Sequence, residues 1–421
     1  MTPISITHYT LTSALGRGKA ATRAALLQGR SGLRANDFAD ALLDTFIGRV
    51  EGVEAVSLPE PLARFDCRNN RLAQLALEQD GLAAAVATAR EKYGARRIAV
   101  ILGTSTSGIQ ATEHAYRRRD PASGALPADF NFATTQSMNS VAEFVRHYLS
   151  LSGPAFVIST ACSSSAKVFA SAARLMQTGL CDAAVVGGVD SLCAMTLYGF
   201  NALQLVSPEP CRPCDQERKG ISIGEGAGFF LLENGHSEAP PVSLSPCSLP
   251  GGERGAGSLR EFHLKEAGPL ALLGCGESSD AYHMSTPHPE GLGAALAMQQ
   301  ALAAAHLQPG EIDYINMHGT SSRSNDSAED QGMQRVFGNA TPCSSTKGAT
   351  GHTLGAAGAV EAAIACICLE SGLIPGSCNT RTLDPELGSA IQLQPVSRPL
   401  RHVMSNSFGF GGNNCSLIFG V

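Results

Sequence analysis

Hydrophobic positions along the chain fall into short blocks separated by small-residue turns and by longer apolar stretches. Four runs, Ile98–Leu102, Ala155–Ser159, Ala183–Val186 and Ser416–Phe419, are aliphatic or β-branched and too short for helices, which predicts buried strands. A further strand is expected at Ile312–Ile315. The segment Ala166–Met176 places Ala166, Phe169, Ala170 and Ala173 at i, i+3, i+4 and i+7, the spacing of one helical face. The stretch Gly355–Leu369 is apolar nearly all round, Glu361 being the exception. A helix without a water-facing side belongs in the middle of a protein. Strands alternating with such helices predict an α/β layered fold.

The one long linker-like stretch, Asn234–Arg260, carries Pro240, Pro241, Pro246 and Pro250 among Gly and Ser and divides the chain near its middle. It separates an N-terminal half, residues 1–235, from a C-terminal half, residues 236–421. The halves share a plan. Strand Phe156–Ser159 leads through the small-residue turn Ala161–Ser165 into an Ala-rich helix, and Ser344–Ser345 leads through the turn Gly348–Thr353 into the helix Gly355–Leu369. This predicts a duplication, two similar α/β halves packed face to face.

Composition narrows the functional classes. The 421 residues suffice for two or three domains of about 150 residues, or one large α/β unit. Only 16% of residues are charged, below the usual share of about 25%, so much of the chain is expected to be buried, some of it in an oligomer interface. That balance excludes disorder as the main state. A net charge of −6 argues against a nucleic-acid partner, and the basic run Arg117–Arg119 reads as a solvated face or a local docking patch. No apolar run is read as reaching the roughly 18 residues of a membrane span. The start, Met1–Ser5, lacks the features of a signal peptide, and thirteen cysteines suit small buried hydrophobes in a reducing cytosol better than a disulfide framework. The expectation is a cytoplasmic enzyme.

Three segments carry candidate chemistry. In Ser159–Ala166 a strand ends in a tight turn of small residues that opens a helix, which puts the sulfur of Cys162 near a helix N-terminus, where thiolate is favoured over thiol. The octapeptide alone fits a buried structural cysteine equally well. His318, in Asn316–Ser321, and His352, in Lys347–Gly355, stand at strand or helix ends beside glycine, where a ring can point into a cavity. Either histidine alone reads as a core residue; together with the Cys162 turn they read as a site for nucleophilic acyl chemistry. The glycine-rich loop Ser405–Asn414 surrounds Phe408 and Phe410 with backbone N–H groups that can approach a ligand oxygen, its rings acting as a gate. Cys211 and Cys214 form a lone CxxC, read as a surface loop rather than a metal site.

These segments, T-A-C-S-S-S at Cys162, M-H-G-T-S at His318, K-G-A-T-G-H-T-L-G-A-A-G at His352 and the ending N-S-F-G-F-G-G-N-N, resemble the elongating β-ketoacyl-acyl-carrier-protein synthases. Arg212–Asp215, Gly224–Gly228 and Ser278–Met284 agree, and the match runs from about residue 98 onward. The resemblance implies a thiolase-like fold, α/β with two duplicated halves in five α-β-α-β-α layers, usually dimeric, with no cofactor and no metal. It implies that Cys162 takes an acyl group from a carrier protein and that His318 and His352 bind and decarboxylate malonyl-carrier thioester. It further implies that Lys347 pairs with Glu329 to hold the histidine loops. The N–H groups of Cys162 and Phe410 would form an oxyanion hole, Phe410 and Phe408 belonging to the gate. Arg64, Arg68, Arg71 and Arg212 are the candidates for meeting an acidic acyl carrier protein.

Departures from the family pattern, Cys214, Asn413–Asn414 and Asn69–Asn70, together with Gly103–Gly108, bring the chain closer to ketosynthases of aryl polyene pigment clusters than to those of primary fatty-acid synthesis. Such an enzyme works as a homodimer or beside a ketosynthase-like chain-length factor. The alternative reading is that this chain is itself the non-catalytic partner, but such partners typically lose the nucleophile. A cysteine hydrolase would not need the second histidine. A degradative thiolase would use a second cysteine as base, and Cys415 reads instead as core strand.

Overall fold

The computed structural model describes residues 1–234 and 268–421. Except for Asn234, the linker stretch and the boundary after residue 235 lie outside the described residues. One set of strands comprises β1 (Ile4–Ser13), β2 (Ile98–Gly103), β3 (Ala155–Ile158), β4 (Ala183–Asp190) and β5 (Gly226–Asn234). A second comprises β6 (Ala271–Ser279), β7 (Tyr314–Asn316), β8 (Pro342–Ser344), β9 (His402–Gly409) and β10 (Asn413–Gly420). Their spatial orders are β3-β2-β4-β5-β1 and β8-β7-β9-β10-β6, the same permutation twice. In each set three neighbours are parallel and the remaining pairings antiparallel. The duplication read from two strand-turn-helix units thus extends to all five strands of each set. A short pairing of β1 with β6 at Ile4–Ser5 joins the two sheets.

Burial explains the strand sequences. Every residue of β2 and β4 is buried, as parallel strands covered on both faces require, so they read as continuous apolar runs. The helices that build the layers include α1 (Arg68–Leu77), α2 (Leu82–Tyr93), α3 (Ser140–Tyr148), α4 (Ser164–Gln177), α5 (Leu292–Ala305), α6 (Arg323–Phe337) and α7 (Ala357–Ser371). Helices α1, α2 and α3 pack on the outer side of the first sheet, and α5 and α6 on the outer side of the second. Between the sheets lie α4 and α7. Phe169 of α4 meets Phe230 of β5 at 4.9 Å and Phe419 of β10 at 5.9 Å between ring centroids, so one side chain touches both sheets. The order helix, sheet, helix, sheet, helix is the expected five-layered, thiolase-like arrangement.

The middle layer depends on small residues. A Cβ on Gly358 of α7 would lie 2.5 Å from the backbone nitrogen of Ala166 of α4, so only glycine allows the two helices this approach. The segment Leu354–Ser371 corrects one expectation: it is long and apolar enough to cross a membrane by length and composition. Its window is 89% buried inside the protein, which makes it a core helix sandwiched between sheets.

Candidate active site

The turn after β3 delivers Cys162. Ala161 adopts φ +54°, and hydroxyls lock the turn: the Thr160 N–H donates to Ser164 Oγ at 2.9 Å, and Ser163 Oγ donates to the Thr160 carbonyl at 2.9 Å. Cys162 is 5% exposed, and its sulfur lies 3.1 Å from His352 Nε2. Burial, opposed by Lys347 and by the Phe410 N–H, pushes the Cys162 thiol up to about 11. This corrects the expectation of a thiolate favoured by the helix end: desolvation outweighs it, and the resting group is a thiol that needs a proton acceptor.

His318 follows β7 and His352 precedes α7, so corresponding ends of one duplicated half bring both rings to the Cys162 of the other. The rings meet edge to face at 5.4 Å, and Cys162, His318 and His352 offer donor atoms all within 4.8 Å of one another. Burial and the nearby Lys347 ammonium hold both imidazoles well below the ordinary histidine range, hence neutral. Lys347 Nζ donates to the His318 carbonyl at 2.5 Å and faces His318 Nδ1 at 3.3 Å, which leaves the ring proton on Nε2. Three such donor atoms have the spacing of a metal site, but an ammonium against one ring opposes a second cation there.

The partner of Lys347 is Glu361, not Glu329 as expected: Nζ bonds Oε1 of Glu361, both side chains being fully buried. Glu361 is the one charge in the otherwise apolar run Gly355–Leu369, and that isolation was the signal. Glu329 of α6 instead accepts the His318 N–H at 2.8 Å and the Gly319 N–H at 2.7 Å, holding the turn itself. Gly319 cannot be replaced there, since a Cβ would come 2.4 Å from that of Ser345. The His352 loop is pinned to the N-terminal half, its N–H donating to the Ser222 carbonyl and its own carbonyl accepting from Gly224.

A small cavity of about 50 Å³, open at its mouth, is lined by Cys162, His318, His352, Phe408 and Phe410. The lining mixes apolar Phe200, Leu205 and Ile221 with polar Ser285, Thr320, Ser322 and Asn325. The Phe410 N–H favours the charged form of the Cys162 sulfur, and the Phe410 ring packs on Phe200 at 5.6 Å. Phe408 lies 5.9 Å from the His318 ring. The glycine-rich loop is tied down by the Gly411 N–H, which donates to the Met284 carbonyl at 2.8 Å.

The basic candidates divide. Arg68 is buried and bonds Glu225 at 2.7 and 2.8 Å and Glu54 at 2.7 Å, so it is an internal brace rather than a docking residue. Arg71 is occupied by Asp66, and Arg212, its side chain 13% exposed, by Glu209 and Glu217. Arg64 is exposed, stacks over Phe65, and has no carboxylate partner among the described residues. Cys211 and Cys214 are buried, not in a surface loop; Cys211 Sγ contacts the Lys347 carbonyl. Cys415 is buried in β10, as expected of a core residue. Asp190 was not singled out from the sequence, yet it bonds both halves beside the site.

Comparison with known proteins agrees with this geometry. Residues 1–237 match the family described as beta-ketoacyl synthase, N-terminal domain, and residues 271–381 match beta-ketoacyl synthase, C-terminal domain. The chain is 32% identical over 440 residues to 3-oxoacyl-[acyl-carrier-protein] synthase 2 of Vibrio cholerae, covering 99% of this chain and 98% of that protein. It is 34% identical over 332 residues to nodulation protein E of Rhizobium meliloti, covering 77% and 76%. Among solved structures, a ketosynthase (ApeO) in complex with its chain length factor (ApeC) from Xenorhabdus doucetiae superimposes with a TM-score of 0.84 at 37% identity, covering 100% and 98%. A buried Cys-His-His set on a twice-repeated α/β unit, with family matches to both halves, leaves one conclusion: the chain belongs to the β-ketoacyl synthase family, acyltransferases of thiolase-like fold.

Proposed function

We propose that this chain elongates acyl groups by decarboxylative Claisen condensation, with Cys162, His318 and His352 as its catalytic residues. The observation that carries the proposal is the 3.1 Å contact of Cys162 Sγ with His352 Nε2 beside a neutral, Nε2-protonated His318. Cys162 attacks an acyl-carrier thioester; its proton passes to His352 and on to the departing carrier thiol. Malonyl thioester then places its carbonyl against the histidine N–H groups. Loss of carbon dioxide leaves an enolate held by those hydrogen bonds. The carbanion attacks the Cys162 thioester, whose oxygen takes charge facing the N–H groups of Cys162 and Phe410, and the sulfur leaves as the new carbon–carbon bond forms. Lys347 and Glu329 support the His318 loop, and Phe410 and Phe408 gate the acyl pocket.

An acyl carrier protein is the proposed donor and acceptor, with Arg64 as the best-exposed docking cation. A second chain is the proposed permanent partner. Its support is the half-exposed apolar edge strand β3, with Phe156 and Ile158, and the exposed Leu42, Met195, Tyr198 and Leu203. The pathway reading, aryl polyene rather than primary fatty-acid synthesis, in the cytoplasm, draws support from the higher identity to a ketosynthase paired with a chain length factor than to the Vibrio synthase. The non-catalytic reading is disfavoured by the intact set around Cys162.

Intact-protein mass spectrometry tests the proposal. With acyl-carrier thioester, Cys162 should gain one acyl mass, and malonyl-carrier should discharge it as a β-keto product two carbons longer. Acylation followed only by free acid would refute condensation, and no acylation with any starter would favour the non-catalytic reading.

A further inference from the structure

Asp190, the last residue of β4, is fully buried and accepts hydrogen bonds from both halves of the molecule. From the N-terminal half, Oδ1 receives the Thr104 hydroxyl at 2.6 Å, the Ser105 N–H at 2.8 Å, and the Thr106 N–H and hydroxyl at 2.9 and 2.8 Å. From the C-terminal half, Oδ2 receives the Gly355 N–H at 2.6 Å, beside the Ser105 hydroxyl at 2.5 Å. Gly355 lies three residues beyond His352, and Leu354 between them holds φ +53°, a left-handed conformation that a bulky residue keeps only under constraint. The site has no spare room: a Cβ on Gly355 would come 2.8 Å from Asp190 Oδ2 and 2.8 Å from the Ser105 nitrogen.

We infer that Asp190 is the positioning residue that sets the reach of His352 to Cys162, by pinning the strained Leu354–Gly355 turn of one half to the Thr104–Thr106 turn of the other. The inference rests on the catalytic reading of Cys162 and His352. Asp190 touches neither substrate nor the reacting sulfur; it acts through the loop. Its carboxylate also belongs to the field around the sulfur. Asp190 and Glu361 push the Cys162 thiol up, while Lys347 and the Phe410 N–H push it down, with the neutral rings of His318 and His352 between them.

The test compares the full chain with Asp190→Asn, Asp190→Glu and Gly355→Ala. Acylation of Cys162 by acyl-carrier thioester is followed by intact mass, and alkylation of Cys162 by iodoacetamide is followed across pH. Asn turns a donor toward Gly355 or Ser105, so Asp190→Asn is expected to slow acylation by roughly ten- to a hundredfold. It should also move the alkylation midpoint to lower pH, because an anion has left the sulfur's surroundings. Asp190→Glu keeps the anion and should hold the midpoint near that of the wild type. Gly355→Ala displaces the turn with the carboxylate in place, so it should slow acylation without the downward midpoint shift. Wild-type acylation rates in Asp190→Asn would overturn the inference. If that variant fails to fold, wild-type rates in Gly355→Ala would overturn it equally. Failure of the wild type itself to acylate is a separate result, which would overturn the catalytic reading of Cys162.

Discussion

His352 Nε2 lies 3.1 Å from Cys162 Sγ although 190 residues separate them, because the turn after β3 and the loop before α7 occupy equivalent places in two repeats of one motif. The proposed nucleophile and the histidine nearest it therefore belong to different halves, so the contact between them depends on how the halves pack.

Cys162→Ala should leave no acyl adduct on the chain by intact mass; an acyl group trapped elsewhere would refute the assignment. With the thiol pushed up to about 11, alkylation of the wild-type residue should keep accelerating as pH rises through the alkaline range. A plateau near neutrality would mean a preformed thiolate.

His318→Ala and His352→Ala should each lower malonyl decarboxylation by about a hundredfold or more, the range for a lost acid–base or hydrogen-bonding group. Carbon dioxide release from malonyl-carrier thioester reads this directly. Near-normal release from either variant would remove that residue from the mechanism.

Lys347→Met should destabilise the protein by about 3–5 kcal/mol, since it leaves the Glu361 carboxylate buried without its cation. Replacing both, Lys347→Met with Glu361→Leu, should recover much of that loss in thermal melts while decarboxylation stays low, because His318 Nδ1 has lost its donor. Recovery of activity with stability would make the pair purely structural.

Glu329 is raised to about 7 by burial, against an ordinary value of 4.5, its bonds from Gly319 and His318 only partly opposing this. Between those two pH values the folded protein holds a proton that the unfolded chain has released. The stabilisation is therefore complete below about 4.5 and lost as pH rises through about 7. The stability of the wild type relative to Glu329→Gln should accordingly be larger at pH 5 than at pH 8 in denaturant titrations at each pH. A constant difference would show that the carboxyl titrates normally.

Arg68→Ala should cost about 3–5 kcal/mol by breaking a buried pair with Glu225. Arg64→Ala should leave the melting temperature unchanged and raise KM for acyl-carrier thioester, more so at low salt. An unchanged KM would exclude Arg64 from docking. Phe410→Ala should broaden the range of accepted starters in a competition assay, and an unaltered profile would end the gate proposal.

Local pattern made much of the architecture legible. The short runs of β2, β4 and β10 and the apolar run Gly355–Leu369 of the middle helix are buried on both faces, and burial on both faces leaves a mark that needs no knowledge of partners, whereas β3, read as buried, is a half-exposed edge strand. The motifs around Cys162, His318 and His352 were legible for a similar reason, since glycine and small hydroxyl residues must cluster where backbone and side chain approach a ligand.

The sequence by itself determined the layered α/β class, the middle helix and the three segments that carry Cys162, His318 and His352, because those depend on neighbours a few positions away. Only the tertiary structure decided who pairs with whom. Glu361 rather than Glu329 takes Lys347, Arg68 turns inward to Glu225, Asp190 joins the two halves, and burial makes Cys162 a thiol. Each of these is a contact or a desolvation between segments far apart in the chain, and charge alone does not say which of several carboxylates a buried cation will meet.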